Sequence, residues 1–276
     1  MLPTMHDVLT PAGVLRYAAG GPEQTRKPTL VLLHPWFGSW RFWLPLVDRL
    51  DERRWVAPDL YSLADSRVTA TPEVLAKAVA ALIDGDESYS VDIVGNSVGG
   101  IVAQIVAAAS PDRVRTLTLV GTGARTAGTR PEFAAVVDAW VAGTPHDNPA
   151  ATRIAVARAV DMLTKYPAPS HIRDATISLL IAAPRQYVAS VLSGARCLDL
   201  RPQLSNVTAP TMIVRGAQDC ARTPAHVAEL LDRLPNARAV ELSDAGHCPM
   251  IDAPGEFATL LLQHLTSPLL TRERAL

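Results

Sequence analysis

Short, largely apolar runs alternate along the chain with longer stretches in which apolar residues recur every three or four positions. Residues 29–33, 54–59, 91–95, 114–120, 211–216 and 239–242 have strand length, and 29–33 is apolar throughout, as a strand covered on both faces requires. Residues 40–50, 72–83, 101–109, 224–234 and 254–265 have the spacing of helices, with Trp43, Leu46 and Val47 on one face of the first. Residues 6–20 predict a hairpin that turns at Thr10-Pro11-Ala12-Gly13. Strand followed by helix, repeated, implies an α/β fold with a mostly parallel central sheet and helices on both faces. The rhythm breaks between Arg125 and Cys197, where four alanine-rich helical stretches (131–142, 149–165, 169–182 and 184–193) follow one another without a strand. Each opens with a proline, whose missing N–H costs nothing in a first helical turn. The expected organisation is a core of residues 1–124 and 198–276 with an inserted all-helical cap at 125–197.

Composition narrows the partners. The 276 residues are 48% hydrophobic, enough for a sizeable core, and the formal net charge of −1 gives no electrostatic reason to expect nucleic acid or a membrane surface. The first twenty or so residues lack the basic start and apolar block of a signal peptide, and no apolar run is long enough to span a bilayer, so a cytoplasmic protein is expected. Cys197, Cys220 and Cys248 make an odd count without metal-ligand spacing, which fits reduced thiols and points to no metal. A homodimer is left open.

The chemistry concentrates at Gly95-Asn96-Ser97-Val98-Gly99, a G-x-S-x-G turn between a strand and a helix. Glycines on both sides permit a sharp turn that exposes the Ser97 hydroxyl, and the following helix directs its N-terminal N–H groups and partial positive charge at an anion forming there. A nucleotide-binding turn is the alternative, but neither the dinucleotide G-x-G-x-x-G spacing nor the phosphate-loop Gly-Lys-Ser/Thr is present. A serine nucleophile needs a base, and the base needs an orienting acid. Of seven histidines, His247 lies in a loop after the last strand, where open α/β sheets hold their sites. His6, His146, His171, His226 and His264 fall on the first strand or on helices and are expected at the surface or on helix faces. Asp219 follows the strand 211–216, and the only comparable turn, Gly121-Thr122-Gly123, offers no carboxylate.

The order Ser97, Asp219, His247, together with the His34 loop, the elbow, the helical insertion, Gly-x-x-Asp and Gly-His-x-Pro, resembles the α/β-hydrolase superfamily in its capped esterase and lactonase branch. The resemblance implies an α/β-hydrolase fold, with Ser97, His247 and Asp219 as nucleophile, base and acid. It implies oxyanion N–H donors at Trp36 and Val98, and a structural His34 that holds its loop from behind. Two features depart from the family pattern: Pro35 stands where glycine is usual, and the loop 59–66 has no glycine. Trp36, Phe37 and Trp140 are the candidate pocket residues, Trp43 is expected to pack, and Cys220 and Cys248 are expected near one another as small buried thiols. The insertion is poor in lysine, and most of its arginines (125, 130, 153, 158, 173, 185 and 196) are expected to face solvent. The expected partner is therefore a small neutral, apolar ester or lactone, hydrolysed without cofactor or metal. Cleavage of a carbon–carbon bond in a vinylogous diketone, perhydrolase or lyase chemistry, and a ligand receptor with a slow residual triad are the alternatives.

Overall fold

A computed structural model describes residues 3–23, 25–50, 53–65, 69–142 and 148–267; His146 lies outside them. The hairpin forms from β1 (Thr4–Thr10) and β2 (Gly13–Gly20). There follow β3 (Leu30–Leu33), a 3-10 turn (Trp40–Trp43), α1 (Leu44–Val47), β4 (Trp55–Pro58) and α2 (Pro72–Asp84). The centre of the chain forms β5 (Val91–Asn96), α3 (Val98–Ala109) and β6 (Val114–Val120). Four helices come next: α4 (Pro131–Val141), α5 (Pro149–Asp161), α6 (Ser170–Ala182) and α7 (Arg185–Cys197). The chain closes with β7 (Thr211–Gly216), α8 (Pro224–Arg233), β8 (Ala237–Leu242), α9 (Pro249–Asp252) and α10 (Pro254–Thr266).

The strands form one eight-stranded sheet in the order β1-β2-β4-β3-β5-β6-β7-β8. Pairing is antiparallel from β1 to β2 and from β2 to β4, and parallel through the rest. Every residue of β3, β4, β5 and β7 is buried, because helices cover both faces, which is why β3 and β4 are apolar and why the charged Asp92 of β5 is paired with Arg53 and Arg115. The parallel strands from β3 to β8 all end at one edge of the sheet, and the loops leaving that edge carry every candidate residue on the core.

Several boundaries depart from the sequence pattern. The stretch 40–50 splits into a 3-10 turn and a short α1, because Pro45 has no N–H to donate to Arg41. Helix α5 stops at Asp161 rather than 165; beyond it the N–H groups of Lys165 and Tyr166 go to the Asp252 carboxylate instead of into a helix. Helix α7 continues to Cys197. His226 and His264 lie on helices as expected, but they face inward and are buried. His226 is drawn in by its place at the start of α8, where its Nδ1 accepts the Thr223 N–H, and His264 donates from Nε2 to the Leu117 carbonyl of β6. Among the described residues, no single helix is long and apolar enough to cross a membrane.

Candidate active site

Strand β5 ends in the elbow. Ser97 has φ 56° and ψ −117°, a conformation few non-glycine residues adopt, which marks stored strain at a site the surrounding structure must hold. What holds it is visible: the Ser97 N–H donates to the Val120 carbonyl (2.9 Å), and its own carbonyl accepts from Thr122 Oγ1 (2.9 Å). The turn is tight enough that a Cβ on Gly95 would lie 2.4 Å from the Gly99 carbonyl oxygen.

The loops after β7 and β8 bring Asp219 and His247 together. His247 Nδ1 and Asp219 Oδ1 are 2.8 Å apart, with both side chains fully buried. Asp219 Oδ1 also accepts the N–H groups of Ala221 (2.7 Å) and Arg222 (2.9 Å). Burial works to raise the Asp219 pKa, but His247 and these two N–H donors outweigh it and hold the carboxyl below its usual range. With Nδ1 committed to Asp219, Nε2 of His247 is buried and has no hydrogen-bond partner in the protein. The bare turn after β6 has a reason as well. Gly121 adopts φ +51°, and a Cβ there would lie 2.9 Å from His247 Nδ1 and 3.0 Å from Asp219 Oδ2.

Asn96 ties the histidine loop to the elbow. Its Nδ2 donates to the carbonyls of Val120 (2.9 Å) and His247 (3.0 Å), and its Oδ1 accepts from Cys248 Sγ (3.2 Å). Cys248 is buried, which raises its thiol pKa, and Cys220 is partly buried; both are free cysteines. Asp244, the other acid in the loop, is exposed and bound to Lys165 and Tyr166.

His34 is fully buried and holds the loop after β3: Nε2 accepts from the Leu60 N–H (3.0 Å) and Nδ1 donates to the Pro35 carbonyl (2.9 Å). In that loop the Phe37 N–H donates to Tyr61 Oη (3.1 Å) and the Gly38 N–H to the Pro35 carbonyl (3.0 Å), which leaves the Trp36 N–H outside both bonds. Val98 begins α3, where first-turn N–H groups have no partner within the helix.

Ser97 and Val98 open onto a pocket. Trp36, Phe37, Ile101, Phe133, Val137 and Leu163 form most of its apolar wall. Trp140 does not line it; it packs behind Phe37, with ring centroids 5.4 Å apart, because Phe133 and Val137 hold the inward face of α4. Phe133, whose ring is 5.8 Å from that of His247, is the residue of α4 that reaches the site. Trp43 is buried in the core, away from the pocket. Two arginines line the pocket: Arg196 of the insertion, open to solvent as expected of most arginines there, and Arg222, to which that expectation did not extend. Arg196 of α7 is partly exposed and paired with Asp138, and Arg222, which lies outside the insertion, is buried. Among the described residues no cluster of side chains suits a metal ion.

With this geometry in place, the likenesses to known proteins acquire a structural meaning. Over 254 residues the chain is 29% identical to pimeloyl-(acyl-carrier protein) methyl ester esterase of Aromatoleum aromaticum, covering 85% of this chain and 97% of that protein. The enol-lactonase of Burkholderia xenovorans superposes with a TM-score of 0.78 at 22% identity, covering 95% of this chain and all of the other. The 2-hydroxy-6-oxo-6-phenylhexa-2,4-dienoate hydrolase of a Rhodococcus species does so with a TM-score of 0.79 at 18% identity, covering 96% and 99%. At such identities the two structures speak for the fold alone. The sequence model described as the alpha/beta hydrolase family matches residues 30–260, from β3 through β8 and into α10, and it is to this family that the chain belongs.

Proposed function

We propose that the protein is a serine hydrolase that cleaves a carboxylic ester or lactone through an acyl-enzyme, with residues 125–197 forming a cap over the reacting centre. Ser97 Oγ attacks the carbonyl carbon while His247 Nε2 takes its proton. Asp219 keeps the imidazole in the Nδ1–H tautomer and stabilises its charged form. The oxyanion is met by the N–H groups of Trp36 and Val98 at the positive end of α3. His247 then returns the proton to the leaving alcohol as the carbon–oxygen bond breaks. Water, deprotonated by His247, attacks the acyl carbon, which releases the acid and restores Ser97. None of these steps uses a metal or an organic cofactor.

The observation that carries this reading is the asymmetry of His247. Its Nδ1 is fixed on Asp219, while its buried Nε2 has no partner in the protein, and Phe133, which lines the Ser97 pocket, has its ring 5.8 Å from the imidazole. His34 has both nitrogens satisfied, and His264 also keeps one buried nitrogen without a partner, so what sets His247 apart is that its other nitrogen is held by the buried Asp219 carboxylate. The methyl ester esterase likeness supports an ester bond, and the apolar wall supports an apolar acyl or ring portion. The expectation of a neutral substrate rested on the lack of an inward cation, and Arg222 removes that ground. Hydrolysis of p-nitrophenyl esters of rising chain length, small and macrocyclic lactones and a ring-cleavage dienoate tests the proposal. kcat/KM should rise with chain length until the pocket is filled and vanish in Ser97→Ala. Faster turnover of the dienoate would replace ester cleavage with carbon–carbon bond hydrolysis.

A further inference from the structure

One charged group in the pocket takes no part in those steps. Arg222 is 5% exposed and lines the same pocket as Ser97. Its guanidinium carries five N–H donors and no acceptor. Thr129 Oγ1 accepts from Nη1 at 2.7 Å. Nη1 also lies 3.5 Å from His226 Nε2, but the tautomer makes this a contact between two donors. His226 Nδ1 accepts the Thr223 N–H at 3.1 Å, so the neutral ring carries its proton on Nε2. Burial and the Arg222 charge both lower the His226 pKa, which keeps the ring neutral.

Arg222 Nε is buried without any partner. The nearest carboxylate, Asp219, accepts the Arg222 backbone N–H, and its bonded oxygen is already shared with His247 and Ala221. The side-chain bonds of Arg222 to described residues therefore leave from Nη1, and the Nε–Nη2 edge points to no protein acceptor. A desolvated cation in a protein is ordinarily paired, and that edge of a guanidinium matches the two oxygens of a carboxylate. Thr129 fixes the opposite edge, so the fork is held in place before any ligand arrives. Arg196 is already paired with Asp138, which leaves Arg222 as the one cation of the wall without a salt bridge among the described residues and favours a monoanion over a phosphate.

We propose that Arg222 determines specificity by binding an ionised carboxylate of the substrate through its guanidinium, so that the preferred substrate is an ester or lactone carrying a second, free carboxyl group. The scissile bond rests on the serine-hydrolase reading above; the anion site does not.

The test compares the monomethyl ester of a medium-chain dicarboxylic acid with its dimethyl ester. The wild type should favour the half ester in kcat/KM by at least about tenfold, and Arg222→Gln should lower that ratio by at least about tenfold, chiefly through KM. Arg222→Lys, which keeps the charge without the fork, should restore only part of the preference. A wild-type ratio at or below one overturns the proposal even if the variants fail to fold, and so does an unchanged ratio in a folded Arg222→Gln. Calorimetric binding of the half ester to Ser97→Ala, with and without Arg222→Gln, reads the anion site without chemistry. If the wild type hydrolyses neither ester but Ser97→Ala binds the half ester in an Arg222-dependent manner, the hydrolase reading falls and the anion site stands. Binding that is indifferent to Arg222 overturns the site.

Discussion

At the scale of single residues, the two oxygens of Asp219 are used unequally. Oδ1 accepts from His247 Nδ1 and from two backbone N–H groups, whereas Oδ2 is buried with no partner. An asparagine can keep its amide oxygen on the backbone donors and on His247 Nδ1–H, so the loop survives, but it carries no charge to balance the imidazolium that forms. Asp219→Asn should therefore fold normally and lower kcat by about 10⁴, as replacing the acid does in the serine-protease example. Steady-state kinetics with an activated ester, beside a near-UV circular dichroism spectrum, checks this. A loss below about tenfold would mean that another acid orients His247, and Asp244, exposed and bound to Lys165 and Tyr166, is badly placed for that task.

At the scale of elements, the site depends on how the inserted helices dock onto the loop after β3. Trp36 donates from Nε1 to the Val188 carbonyl of α7 (3.2 Å), Tyr187 donates to the Leu60 carbonyl, and Ser39 Oγ pairs with Thr176 Oγ1 of α6 (2.7 Å). Tyr61 sits at the centre of this contact. Its hydroxyl accepts the N–H of Phe37, a residue at φ 55°, and its ring lies 4.7 Å from that of Trp36. Tyr61→Phe keeps the ring but orphans a buried N–H beside a strained residue. It should cost about 1–3 kcal/mol of stability in urea unfolding and lower kcat more than it raises KM. Unchanged kcat would show that the Trp36 N–H needs no such support. The elbow, Asp219 and His247 were legible in the sequence because each follows a strand with its own local signature. Phe133 was not, since helical spacing shows that α4 has an apolar face but not whether Phe133 or Trp140 meets the site. Nor was Arg222: nothing in Asp219-Cys220-Ala221-Arg222 tells whether the arginine turns outward or, as here, is drawn inward by Thr129.

At the scale of the whole molecule, three histidines are buried in the fold with lowered pKa values, so acid should weaken it before the carboxylates titrate. Burial is the main cause for His34, His226 and His264, and for His264 the nearby Arg238 adds to it, with a pKa of about 4 against 6.5. A folded pKa below the unfolded one means that the unfolded chain binds more protons. The stability is thus fully present above pH 6.5 and is lost as pH falls towards 4. For His264 alone the full loss is about 3 kcal/mol, with roughly 2 kcal/mol of it gone by pH 5. Urea unfolding at pH 7.5 and pH 5 should show a smaller drop in His264→Gln than in the wild type, and equal drops would contradict the assignment. The whole architecture otherwise serves one arrangement: the strand ends from β3 to β8 carry the Trp36 loop and the elbow to the wall of one pocket, with Asp219 and His247 paired in the loops after β7 and β8. The central claim is that this arrangement makes Ser97 a nucleophile, and intact-protein mass spectrometry after treatment with a fluorophosphonate tests it most directly. The account predicts a single adduct on the wild type, mapped to the peptide containing Ser97, and none on a folded Ser97→Ala; an adduct that persists in Ser97→Ala, or that maps to another residue in the wild type, would contradict it.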